Sequence, residues 1–392
     1  MSSIVQKSRL SATVEELKPS GIRRFFDLAA SMEGVISLGV GEPDFVTPWR
    51  IREASISSLE RGYTAYTSNA GLLELRKEIS YYTEDLIQVQ YNPQTEILVT
   101  VGASEAIDIA LRAIIDPGDE VLIVEPCYVS YEPIIRLAGG VPVFLQTSAR
   151  HQFKLTPEEL ESKITDRTRA IIFCYPNNPT GSIMTLEEWK TLVPIIEKHD
   201  LLVLSDEIYA ELTFGQKHES IVTLPGMKDR TILMSGFSKS FAMTGWRLGY
   251  VCAPEDLLVG MLKIHQYTIL CAPVMAQMAA LEALRGNRSD VEKMVESYSQ
   301  RRNYVVKALS DMGLTCHTPA GAFYAFPSVK ATGLTAADFA EQLLMEEKVA
   351  VVPGDVFGTS GEGHIRCSYA TSLEQLKKAL ECMDRFVSKR LS

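Results

Sequence analysis

The chain has 392 residues, 46% of them apolar and 22% charged, the balance of a folded globular protein and not of a disordered one. Its length exceeds one ordinary domain and predicts two. A net charge of −10 argues against nucleic acid as a partner, although a local pocket of opposite sign can still hold a small anion.

The opening stretch MSSIVQKSRLSATVEELKPSG carries charges throughout and has no long apolar core, so it does not read as a signal peptide. Residues 1–45 show no strand regularity and are expected to pack against the C-terminal part of the chain. From residue 96 short apolar runs alternate with amphipathic ones. EILVT (96–100) reads as a strand and ASEAIDIALRAII (103–115) as the helix that follows. Pro117-Gly118-Asp119 is a turn, after which EVLIVEP (120–126), VPVFLQ (141–146), RAIIFCYP (169–176) and LLVLSD (201–206) continue the strand series. A helix over 185–199 carries a capping box, Thr185 with Glu188. TILMSG (231–236) and RLGYVCAP (247–254) bring the total to about seven strands, and apolar strands separated by helices predict a mostly parallel sheet covered on both faces. The last part differs in character. A charged helix (288–312), CHTPAGAFYAFPS, a helix, VAVVPG, HIRCSYA and a final helix to 386 predict a separate α+β lobe.

Several residue types get the plain reading. The cysteines (127, 174, 252, 271, 316, 367, 382) form no C-x-x-C pair, so neither a disulfide framework nor a metal site is expected, and reduced thiols in a cytoplasm are the simplest reading. The histidines are dispersed without metal spacing, and Trp189 and Trp246 read as packing residues. No run of eighteen apolar residues occurs, so no membrane helix is expected.

The segment Ser235-Gly236-Phe237-Ser238-Lys239-Ser240-Phe241-Ala242-Met243-Thr244-Gly245-Trp246-Arg247-Leu248-Gly249-Tyr250 carries most of the chemical information. A lysine just past an apolar strand is costly, because desolvation disfavours the ammonium. The same desolvation makes the amine a nucleophile for a carbonyl. A nearby arginine and serine hydroxyls suit a phosphate. The bland alternative is a core lysine neutralised by a carboxylate. LLVLSDEIYAEL places Asp206 at a strand end, where it could equally cap a helix. Tyr175-Pro176-Asn177-Asn178-Pro179-Thr180-Gly181 could be no more than a tight loop. VTVGASEAI places a glycine turn before a helix N-terminus, a ready anion site. Arg366, in the apolar HIRCSY strand without an obvious carboxylate, wants an external anion.

In this order and spacing the motifs resemble those of the fold-type I pyridoxal-phosphate (PLP) enzymes, specifically the class I and II aminotransferases, from Gly41 to Arg366. The resemblance implies an α/β fold, with a large seven-stranded domain over 47–287 and a smaller α+β domain from 1–46 and 288–392. It maps Lys239 to the Schiff-base lysine, Arg247 to the phosphate arginine, Asp206 to the partner of the pyridinium nitrogen, and Tyr209 and Asn178 to the ligands of the ring oxygen O3′. Gly102, Ala103 and Ser104 fall in the phosphate turn, and Tyr128 falls where an aromatic ring stacks on the cofactor. Arg366 maps to the clamp on the substrate α-carboxylate, with Gly41 and Asn178 beside it. Tyr66, in YTSNAGLLELR, matches a tyrosine that serves the neighbouring subunit, which implies a homodimer with shared sites. One departure stands out. Many relatives carry a phosphate-binding serine where this chain has Gly236, so Ser235 or Ser238, preferably Ser238, takes that role.

The implied activity is ping-pong transfer of an amino group from an L-amino acid to 2-oxoglutarate. HQYTILCAP (265–273) offers no cation for a second carboxylate, and Tyr128, Tyr66, Ile269 and Leu270 suit an aromatic or bulky neutral side chain. Aspartate and N-acyl-diaminopimelate remain rival donors, and a PLP-dependent lyase on the same fold is the rival reaction.

Overall fold

The computed structural model describes residues 9–18 and 32–391. In chain order its first elements are α1 (Ala12–Glu16), β1 (Ile36–Ser37), α2 (Trp49–Glu60), α3 (Leu73–Ile87), β2 (Ile97–Thr100) and α4 (Gly102–Ile114). There follow β3 (Glu120–Glu125), α5 (Tyr131–Leu137), β4 (Val141–Gln146), α6 (Pro157–Lys163), β5 (Thr168–Cys174), α7 (Leu186–Lys198) and β6 (Leu202–Asp206). β7 (Thr231–Gly236), β8 (Gly249–Cys252), α8 (Glu255–Thr268), α9 (Val274–Arg285) and α10 (Ser289–Asp311) come next. The chain ends with β9 (Tyr324–Ala325), α11 (Ala336–Glu347), β10 (Val349–Ala350), β11 (Val352–Pro353), β12 (Ile365–Ser368) and α12 (Leu373–Leu391).

Seven strands form one sheet in the order β2-β8-β7-β6-β5-β3-β4. The pairings from β7 through β4 are parallel, and β8 runs antiparallel to both its neighbours. The continuous apolar character of these strands has a direct cause, because both faces are covered. In β5, Ile171 and Phe173 enter one core cluster while Ala170, Ile172 and Cys174 enter the other, as the two-residue period of a strand requires. β7 repeats the division, with Leu233 on one face and Ile232 and Met234 on the other. Trp189 of α7 is indeed a packing residue, edge-on to Phe173 at 4.9 Å, with its indole N–H donated to the Glu219 carbonyl. The capping box at Thr185 and Glu188 is present. All seven cysteines are free. No helix among the described residues is long and apolar enough to cross a membrane.

A further core gathers residues of α10, α11 and α12 with β9 and β12 of the antiparallel sheet β11-β12-β9. The expectation that residues 1–45 contain no strand needs one correction. Ile36 and Ser37 pair in parallel with Val349 and Ala350, and Leu38 extends the contact by accepting a hydrogen bond from Ser368. Two residues are too few to produce a period in the sequence. RLGYVCAP is also shorter as a strand than expected. Arg247 has φ +52 at the end of a 3-10 turn over Thr244–Trp246, so pairing begins only at Gly249.

Close backbone approach explains the glycines on β7 and β8. A Cβ on Gly236 would lie 2.9 Å from the Gly249 Cα and 3.0 Å from the Leu248 carbonyl, which accounts for the missing serine. A Cβ on Gly249 would lie 2.7 Å from the Ala103 nitrogen, so this glycine lets the start of α4 settle against the sheet. The obstructing atoms are backbone and cannot swing away. Gly249→Ala is therefore expected to lose about 1–3 kcal/mol of stability, the usual penalty of overpacking, in urea unfolding followed by circular dichroism.

Candidate active site

The carboxyl ends of β2, β3, β5, β6 and β7 and the start of β12 converge on a cavity of about 350 Å³, where ligands bind in open α/β sheets. Of the residues singled out from the sequence, Gly41, Ala103, Ser104, Tyr128, Asn178, Asp206, Tyr209, Ser238, Lys239, Arg247 and Arg366 all line it. Gly102 adjoins it, since a Cβ there would lie 2.8 Å from an Arg247 guanidinium nitrogen.

Lys239 lies in the turn after β7 and donates from Nζ to the Gly41 carbonyl at 2.6 Å. Burial pulls its pKa down to about 8, an effect that the Glu42 carboxylate opposes and the Arg366 and Arg247 charges reinforce. Asp206 ends β6 and is 5% exposed. Its carboxylate accepts the Tyr131 hydroxyl at 2.6 Å and the Ile208 N–H at 3.2 Å, and burial still pushes its pKa up. A carboxylate so placed, with no cation bonded to it among the described residues, can accept a hydrogen bond from a protonated ring nitrogen. Tyr209, in the turn after β6, shares a hydrogen bond of 2.8 Å with the Tyr324 hydroxyl, and burial raises both phenols.

At the other end of the cavity α4 begins at Gly102, whose φ of +77 turns the chain sharply out of the strand. The first N–H groups of any helix lack intrahelical partners, and here they face the cavity beside the Arg247 guanidinium. Arg247 is steadied by a bond to the Thr244 carbonyl at 2.8 Å and forms no ion pair among the described residues. Ser238 lines this end, whereas Ser235 turns away and donates to the Glu207 carbonyl at 3.2 Å. The loop after β5 divides its two asparagines. Asn177 braces the turn by accepting from Thr180, and Asn178 points inward.

Arg366, 4% exposed, reaches the cavity from β12. It donates to Asn178 Oδ1 at 2.9 Å and to the Gly39 carbonyl at 2.7 Å, and its guanidinium rests on the Tyr324 ring at 4.5 Å. Its Nε has no partner and no carboxylate pairs with it among the described residues, so the charge is desolvated and uncompensated. Tyr128 lines the cavity wall and meets Tyr131 edge-on at 5.6 Å.

Three of the sequence-nominated side chains lie elsewhere. Tyr66 is 84% exposed and outside the cavity of its own chain, as are Ile269 and Leu270, both on the surface. Conversely, Tyr324 and Tyr131 were not singled out from the sequence, yet each bonds a nominated residue. EPCYVSYEP offered a faint signal for Tyr131, three residues after Tyr128 and so on the same side of a helical turn. AGAFYAFP offered none for Tyr324, whose role depends on lying against Arg366 and Tyr209.

The cavity can hold an anion at each end and a cation at its base, with a nucleophilic amine between them. The chain belongs to the aminotransferases of class I and II, whose family profile matches residues 33–383, and is accordingly a PLP-dependent transferase. It is 60% identical to a Bacillus subtilis protein named "Putative aminotransferase YugH", over 97% of this chain and 99% of that one. It is 45% identical to the aspartate aminotransferase of Pyrococcus abyssi, again over 97% and 99% of the two chains. The solved structure of an aromatic aminotransferase from Pyrococcus horikoshii OT3 superposes with a TM-score of 0.90 at 44% identity, covering 94% of this chain and 99% of that one.

Lys239 provides a test that needs no substrate. In the folded chain free of cofactor it should lose its proton near pH 8, whereas an unfolded lysine does so at about pH 10.4. Between these values the unfolded state binds more protons, so this group's destabilising effect is relieved as pH rises through the window. Acetylation of lysines across a pH series, read by peptide mass spectrometry, should show Lys239 half-reactive at about pH 8. Reactivity appearing only with the bulk lysines would contradict the desolvation described.

Proposed function

We propose that this chain moves the amino group of an L-amino acid to 2-oxoglutarate, with an aromatic or bulky neutral amino acid as the preferred donor. PLP is the cofactor and Lys239 its lysine. The observation that carries this reading is that Asp206, Lys239, Arg247 and Arg366 share one small cavity and no ion pair joins any of them to another residue among those described. Unpaired charges are expensive to bury, as Asp206 and Arg366 are and Lys239 partly is, and a ligand carrying a phosphate, a ring cation and a substrate carboxylate complements them together with the exposed Arg247.

Bound there, PLP supplies an electron sink that makes the substrate Cα–H acidic. The Asp206 carboxylate would hold the proton on the ring nitrogen, and its bond from Tyr131 keeps it oriented. Asn178 and Tyr209 would serve the ring oxygen, and Tyr128 would cover the ring face. Arg247, Ser238 and the N–H groups of Gly102, Ala103 and Ser104 would hold the phosphate. Arg366, with Gly41 and Asn178 beside it, would fix the substrate carboxylate and so orient the Cα–H bond. The Lys239 amine, with a pKa near 8, is matched to taking and returning that proton near neutral pH.

The substrate preference rests on the lining. Its lysines and arginines are Lys239, Arg247 and Arg366, each already assigned, and Tyr128, Ile107, Ile208 and Tyr324 offer neutral surface to a side chain. The relative named as an aspartate aminotransferase keeps aspartate as the second reading. Tyr66 at 84% exposure, near-fully exposed Tyr267 and exposed Val46 and Trp49 support a homodimer in which Tyr66 serves the partner's phosphate site. The division at 47–287, with 1–46 and 288–392 forming the smaller domain, is supported by a core built mostly from residues beyond 288, which Ile208, Tyr209, Leu212, Phe214 and Ala242 of the larger domain join. Free thiols throughout support a reducing, cytoplasmic setting.

The test is a single-turnover panel without acceptor, measuring the 2-oxo acid released from each amino acid by a known amount of enzyme. Phenylalanine and tyrosine should react faster than aspartate, and Arg366→Ala should slow every amino acid, with a loss on the order of 2–5 kcal/mol in kcat/KM. Aspartate reacting as fast as phenylalanine would overturn the preference. Release of no 2-oxo acid from any of them would overturn transamination.

A further inference from the structure

The start of α4 carries an acidic side chain as well as free N–H groups. Glu105 lies in its first turn, and a carboxylate able to swing toward those N–H groups would compete for them with a phosphate dianion. It is not free to do so. Its Oε2 accepts the Val101 N–H at 2.5 Å, and its Oε1 accepts from Nδ1 of His265 at 2.5 Å. His265 belongs to the last turn of α8, which packs along α4. Its side chain is fully buried, and among the described residues its Nε2 has no partner and Glu105 is its one side-chain hydrogen bond. Leaving a buried nitrogen unpaired costs free energy, and a leucine would fill the space without that cost. The polar ring is therefore explained by what it does to Glu105.

We infer that His265 is a positioning residue for the cofactor phosphate, drawing the Glu105 carboxylate back onto Val101 and holding its charge away from the anion site at the start of α4. The inference rests on the PLP reading above. It gives a task to a histidine far along the chain from the phosphate turn, and it makes the Glu105 charge, not the shape of the cavity, the quantity that His265 controls.

The experiment titrates the full chain, stripped of PLP, with PLP and with pyridoxal, which lacks the phosphate. His265→Leu should weaken PLP binding about tenfold, the size of effect a charge exerts at a helix N-terminus, and leave pyridoxal binding unchanged. His265→Asn, whose amide can donate where Nδ1 does, should retain wild-type affinity for both. Glu105→Gln combined with His265→Leu should restore PLP binding. Glu105→Gln alone keeps an acceptor for Val101 and should bind PLP at least as tightly as wild type, which keeps the inference open to refutation even if His265→Leu fails to fold. Equal loss of PLP and pyridoxal affinity, no recovery in the double variant, or a PLP-specific loss in Glu105→Gln would each overturn the inference. A wild-type chain that binds PLP no better than pyridoxal would overturn it together with the cofactor reading.

Discussion

Desolvated charge without a partner is the constraint on which this structure depends. A buried ion normally finds its opposite within the protein or gives up its charge. Here Asp206 and Arg366 are almost wholly buried, and Lys239 and Arg247 are drawn into the same cavity, yet they are held apart by neutral groups: Tyr131 on Asp206, the Gly41 carbonyl on Lys239, Asn178 and Gly39 on Arg366. Collapse into internal ion pairs would cost the site its function, because the same charges must be available to a ligand. Burial also lowers the Lys239 pKa and raises that of Asp206, so electrostatics and chemistry have one origin.

The sheet makes this arrangement possible. A parallel strand ends at the same edge as its neighbours, so five turns deliver side chains to one place without any of them needing to be long. The antiparallel β8 follows, and its Gly249 lets the start of α4 lie directly against the strand. The second lobe adds Arg366 to the cavity, held on the Tyr324 ring, and the Glu42 carboxylate. The Tyr209–Tyr324 hydroxyl pair and the Arg366–Asn178 bond cross between the lobes, as do backbone bonds from Phe214 to Ala320 and from Ala322 to Leu212.

Much of the site was legible in the sequence because its information is local. Each of the segments around Asn178, Asp206 and Lys239 compresses its chemistry into one turn beside one apolar strand, so residue order alone reveals it. The sheet was legible for the same reason, since strands buried on both faces read as unbroken apolar runs. What escaped notice depends on contacts between distant segments. Tyr324 matters through Tyr209 and Arg366, and Glu105 matters through His265, which reads as one dispersed histidine among several. The two-residue strand at Ile36 is shorter than any period can register. Ile269 and Leu270, read from the apolar run HQYTILCAP as suited to a pocket, lie on the surface of the single chain.

The central claim is that Lys239 is the amine to which the cofactor is joined. It is tested most directly by treating the holoenzyme with borohydride, digesting it, and locating the pyridoxyl group by mass spectrometry. The expected result is a single modified residue, Lys239. A pyridoxyl group on any other lysine, with Lys239 unmodified, would contradict it.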